Sequence, residues 1–154
     1  MTVWFHPVCA AYKRPETLLQ ALAEAREDMP DRENLERAAR GSLAHRRLAR
    51  IDGAERAPTG QARCRSCREP IARGSWRIRL VFYEDGRFTP GGFVHMDCRK
   101  AYFDTDDILD QVLHFSPGLG ERERDELRLA CASRPAYDTC RSRARASPRR
   151  ARAR

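Results

Sequence analysis

The residues of this chain best suited to metal chemistry are Cys64 and Cys67, separated by two residues, and His95 and Cys98, separated likewise, with 27 residues between the pairs. Thiolate and imidazole are zinc ligands, at about 2.3 and 2.0 Å, and structural zinc sites hold four of them in a tetrahedron. A two-residue gap lets both members of a pair reach one ion from a tight turn. The long interval exceeds that of a small ββα finger and leaves room for a β-hairpin inside the loop. Such ligands bind as thiolates and neutral imidazole, so affinity should fall with pH, and a loop this long has little core without its metal. The spacing therefore predicts Zn²⁺ as cofactor, with Met96 and Asp97 as spacers. A fully ligated ion has no open position for an activated water.

The flanking residues sharpen this expectation. Residues 55–63 lead into Cys64, Arg68 to Gly74 follow Cys67, Arg77 comes ten residues after Cys67, and an Asp85-Gly86 turn precedes the His95-x₂-Cys98 closure. Over residues 54–130 this pattern resembles the PARP-type zinc finger of poly(ADP-ribose) polymerases and of one class of DNA ligase. The resemblance implies a CCHC zinc site and recognition of nicked or broken duplex DNA by shape rather than sequence. It makes Arg77 the leading phosphate contact, with Arg63, Arg65 and Arg79 beside it. Tyr83 and Phe88, around the Asp85-Gly86 turn, become the residues that stack on an exposed base pair, an interaction worth about 1–3 kcal/mol per base. Two positions depart from the family: Gln61 stands where it carries an arginine, and Glu84 where it carries an apolar residue.

A partial copy of the same signature opens the chain. Trp4-Phe5-His6-Pro7-Val8-Cys9 repeats the aromatic-x-His-x₂-Cys closure, and each closure is followed by an aromatic and then a helical stretch. By resemblance to tandem fingers, His6 and Cys9 are the incomplete metal site of a preceding copy whose C-x₂-C half lies upstream, with Met1 an internal methionine.

The elements that must position these ligands are legible from periodicity. Trp76, Ile78, Leu80 and Phe82 alternate with Arg77, Arg79, Val81 and Tyr83, the period of a half-buried strand, with the arginines facing away from the core. Glu84 to Arg87 supplies a turn, and Phe93-Val94-His95 returns to the metal. Asp52-Gly53 and Pro58-Thr59-Gly60 mark turns leading into the finger. Pro15 opens an amphipathic helix to Asp28 with Leu18, Leu19 and Leu22 on one face, and Asp31 caps a second with Leu35, Ala38 and Ala39. Asp104-Thr105 caps a helix over 106–115, and 121–132 forms a last one using Leu127, Leu129 and Ala130. His45 is expected at the surface, and His114 and Cys131 in core or surface roles.

The expected fold is a small α+β module. Residues 1–50 form a helical segment carrying the remnant of a first finger, 51–133 a zinc-stapled finger with a hairpin or three-stranded sheet and flanking helices, and 134–154 an arginine-rich disordered tail. The formal charge is +8, but residues 134–154 supply +7 of it, eight arginines against Asp138. Within 60–100, nine basic residues face four acidic ones, a local +5 where a phosphate-binding surface needs it. Arg46, Arg47 and Arg50 are further cations. No apolar run approaches a membrane span, no secretory signal is recognisable, and the cysteine usage fits a reducing interior, so the expected location is intracellular and DNA-associated. No nucleophile–base set or phosphate loop accompanies the zinc site, so neither an enzyme nor a small-molecule substrate is expected. The function expected is a DNA-binding module for strand breaks, working beside a DNA-repair partner. The rival is a zinc-stabilised protein-interaction module with little DNA affinity.

Overall fold

A computed structural model describes residues 4–25, 29–43 and 49–133; the expectations for His45, Arg46, Arg47 and residues 134–154 lie outside it. The element order is α1 (Pro7–Lys13), α2 (Pro15–Glu24), α3 (Arg32–Leu43), β1 (Arg50–Arg56), β2 (Trp76–Glu84), β3 (Arg87–His95), a 3₁₀ turn (Met96–Cys98), α4 (Arg99–Phe103), α5 (Leu109–His114) and α6 (Glu121–Ala132). The chain is α+β, and the three strands among the described residues form one antiparallel sheet in the order β1-β2-β3.

The hairpin β2–β3 is built by its turn. Asp85 and Gly86 both take positive φ, +49° and +80°, the conformation that matches the twist of two antiparallel strands joined by two residues. The register then runs from Glu84↔Arg87 to Arg77↔His95, with an irregularity between Leu80 and Val81. The apolar residues of β2 do face the core, where Ile78 and Leu80 pack with Ile51, Ile71, Val94, Phe103, Ile108, Val112 and Leu127. The same core contains Cys64, Cys67 and Cys98, so the thiol cluster is continuous with the hydrophobic centre.

Several boundaries differ from the sequence reading. Asp52-Gly53 is not a turn; it lies inside β1 as a bulge between Ile51 and Ala54. Gly53 takes φ +100° and lies so close to the Phe115 carbonyl and Ser116 Oγ that a side chain has no room. Asp104 does not cap a helix start either. It ends α4 in the left-handed conformation, and α5 begins at Leu109 behind Ile108. In α6 Leu127 is fully buried, but Leu129 is 69% exposed.

Helices α1 to α3 pack on one another through a second cluster, Ala11, Leu18, Leu22, Leu35 and Ala39. Polar contacts tie this cluster to the sheet. Lys13 Nζ donates to the Ile51 carbonyl and Asp52 Oδ1, both at 2.7 Å. Arg50 spans Ser42 O (2.9 Å) and Glu16 Oε1 (3.0 Å), and Gln111 donates to Ser42 Oγ at 2.9 Å. Among the described residues no helix is long and apolar enough to cross a membrane.

Candidate metal centre

Two local structures deliver the four ligands. The first is a knuckle around Cys64 and Cys67. Arg63 and Pro70 face each other in an antiparallel bridge, the Cys64 amide donates to Glu69 O (2.9 Å), and the Arg68 amide returns to Cys64 O (2.9 Å) with Arg68 at φ +70°. Left-handed backbone at a non-glycine residue is uncommon, and here it closes the turn that holds both thiols on one side. The second is the end of β3. His95 ends the strand, and the 3₁₀ turn behind it brings Cys98 back beside the ring. A parallel bridge between Cys64 and Phe93, with the Arg65 amide donating to Phe93 O at 2.8 Å, fixes the two parts against each other.

The Sγ atoms of Cys64, Cys67 and Cys98 and a ring nitrogen of His95 all lie within 4.8 Å of one another. His95 Nδ1 stands 3.3 Å from Cys67 Sγ and 3.8 Å from Cys98 Sγ. A tetrahedron with ligand bonds of about 2.3 and 2.0 Å has edges of about 3.5–3.8 Å, so the spacing suits a single metal ion. The other ring nitrogen, Nε2, lies 3.2 Å from the Pro70 carbonyl. With an ion bound, donation there would keep the proton on Nε2 and turn the Nδ1 lone pair to the metal, the outer contact that metal-binding histidines make. Backbone amides of Ser66 and His95 donate to Cys64 Sγ at 3.4 and 3.3 Å, stabilising a thiolate.

The electrostatics agree with this. Hydrogen bonding from Cys98, then from His95 and nearby amides, pulls the Cys64 thiol down to about 3 against the opposing effect of burial. Its hydrogen bond to Cys64 raises His95 to about 9, again against burial. In the metal-free protein the pair is therefore thiolate and imidazolium, a proton occupying the place a cation would take. The four residues form a centre compatible with a metal ion.

The expected DNA-contacting residues fare differently. Arg63 and Arg65 are exposed on the knuckle. Arg77 is 6% exposed; its Nε donates to Glu55 Oε1 at 3.0 Å, and its guanidinium lies 3.6 Å from the centre of the Phe93 ring. Arg79 donates to Asp52 O at 2.7 Å and sits 3.5 Å from Glu55. Both arginines do face away from the main core, yet Glu55 on β1 already answers their charge. Tyr83 and Phe88 pair at 5.0 Å near the hairpin turn, with Phe88 39% exposed. Phe5 packs on both, 6.1 Å from Tyr83 and 6.0 Å from Phe88.

The sequence reading passed over Arg68 and Arg73, which are exposed on the knuckle with Arg63 and Arg65; among the described residues none of the four makes an ion pair. Their position flanking Cys67 was the available signal. Glu55 carried none, because its role depends on β1 pairing Glu55 with Arg77. No family model and no curated protein matches the chain.

Proposed function

We propose that the metal is zinc and that the chain is a non-sequence-specific DNA-binding module for strand breaks or exposed duplex ends, of the PARP-type finger class that its motif resembles. Three buried thiolates and one imidazole form a soft tetrahedral set that selects zinc over harder cations. The observation that carries the DNA reading is the knuckle: Arg63, Arg65, Arg68 and Arg73 are exposed around the metal ligands and unneutralised by described carboxylates. Phe88 and His95 are seven residue steps apart along the strand, about 23 Å at the rise of a strand, so the aromatic end and the cationic end would meet a duplex several base pairs apart. Stacking at one end and phosphate neutralisation at the other is a shape-reading combination.

Neutralisation of Arg77 and Arg79 by Glu55 favours the second reading, a zinc-stabilised module that binds a protein. Fluorescence anisotropy of the zinc-loaded chain on nicked, blunt-ended and closed duplex DNA, at low and physiological salt, separates the two. The DNA reading expects tighter binding to nicked or blunt-ended DNA and a salt slope that flattens by about 0.9 for each knuckle arginine replaced by alanine. Equal weak binding to all three duplexes, lost when residues 134–154 are removed, would leave the protein-binding reading.

A further inference from the structure

Cys9 meets a second metal-binding side chain, His114, while the His6 ring is not gathered with them as the four ligands of the Cys64 centre are with one another. Cys9 Sγ lies 3.4 Å from His114 Nε2, across 105 residues of sequence and between α1 and α5. That spacing matches the 3.3 Å between Cys67 Sγ and His95 Nδ1 in the centre described above. The backbone repeats too. His6 is the N-cap of α1 with φ −60° and ψ 138°, and His95 is the N-cap of the 3₁₀ turn with φ −58° and ψ 147°. In both, a cysteine follows at the third position of the turn, α-helical after His6 and 3₁₀ after His95, so the chain twice places a His-x₂-Cys pair at a helix start with the same backbone conformation at the histidine.

The His114 ring is held in place. Tyr12 packs edge-on at 5.5 Å and Phe115 at 4.7 Å, while His6 lies within electrostatic reach of it. His6 itself is exposed, so its ring turns at little cost. Lys13, an electrostatic neighbour of His114, is engaged by Asp52 and the Ile51 carbonyl. The neighbourhood therefore offers one thiol and two imidazoles beside a cation that is already answered.

We propose that His6, Cys9 and His114 form a second zinc site, completed by α5 of the same chain rather than by a C-x₂-C pair. It holds the ion with three protein ligands and leaves a fourth position to water, the coordination of an open zinc site. With one thiolate instead of three, it binds zinc more weakly than the Cys64 centre. It also clamps α1 onto α5, adding a metal cross-link between the N-terminal helical segment and the part of the chain that carries the Cys64 centre. This site stands independently of the DNA reading.

The test is a cobalt and zinc titration of the metal-free full chain under reducing conditions, read by mass spectrometry of the bound metal and by alkylation of Cys9. Two equivalents are expected. The second cobalt should add about one third of the thiolate charge-transfer absorbance of the first, in proportion to the thiolates bound. It should also protect Cys9 in the wild-type protein from iodoacetamide. Cys9→Ser and His114→Gln should each return the stoichiometry to one, and His6→Ala should weaken the second equivalent severalfold. A single equivalent would overturn the proposal, as would a second one that leaves Cys9 reactive. Because the alkylation readout uses the unmodified chain, the test holds even if a variant fails to fold.

Discussion

Glu55 and Arg77 stand opposite each other in the β1–β2 register and are joined by an ion pair. The pair is shut in by the Phe93 ring, and Arg79 shares the same carboxylate. Truncating one member of such a pair leaves a buried charge without its partner, which costs more than the pair itself contributes. Glu55→Gln should therefore lower the unfolding free energy by about 1–3 kcal/mol, measured by denaturant melts of the zinc-loaded chain. The same variant should bind nicked duplex severalfold more tightly, since two arginines lose their internal counter-charge. Unchanged affinity would remove Arg77 from the list of phosphate contacts.

Zinc affinity should fall as the solution is acidified. His95 in the metal-free chain is held at about 9 by Cys64. Below that pH the ring carries a proton that an arriving ion must expel, so from His95 alone the affinity drops about tenfold for each unit below 9. Cys64, held at about 3, adds no proton to that cost near neutrality. Competition with a chromophoric chelator across pH 6 to 9 measures the slope, and a flat profile would contradict the thiolate–imidazolium pair.

Removing the metal should cost the sheet its anchor. Chelation, or Cys98→Ala, should abolish cooperative unfolding of the region 51–133, because the thiols sit inside the main core rather than beside it. Retained zinc with cooperative melting in Cys98→Ala would show that the ligand set is misassigned.

Gly53→Ala should destabilise the protein by at least about 2 kcal/mol. The residue is at φ +100°, and a Cβ would stand 2.5 Å from Ser116 Oγ. Ser116 Oγ also accepts the Ala54 amide at 2.9 Å, so any shift there breaks a buried hydrogen bond. Thermal unfolding at fixed zinc provides the measurement.

The parts of the fold that sequence made legible are those specified by neighbours in the chain. Asp85-Gly86 announces its own turn, α6 begins and ends where its apolar period does, and the four side chains that cluster as candidate ligands are announced by their spacing. What escaped depends on distant partners. Asp52-Gly53 has the composition of a turn and becomes a bulge because Ser116 and Phe115 press against it. Arg77 alternates outward as its strand period demands, yet β1 brings a carboxylate to meet it. His114 gains a partner only when α5 is laid beside α1. Leu129 faces out because it lies two residues, about 200°, round α6 from the buried Leu127, whose core-side neighbours are Ala130 and Cys131 at i+3 and i+4.

The register of the hairpin also sets the timing of metal capture. Arg77 pairs with His95, so once β2 and β3 zip together, only the nine residues 68–76 still separate Cys67 from the paired strands, in place of 27. Closing the shorter span saves about 1 kcal/mol of chain entropy. Hairpins form in about 1–10 μs but are marginal alone, so this one should open and close many times before an ion arrives. A bound ion would act as a latch on a door already swinging shut, and mutations that slow the swing, at Asp85 or Gly86, should slow metal uptake without touching a single candidate ligand.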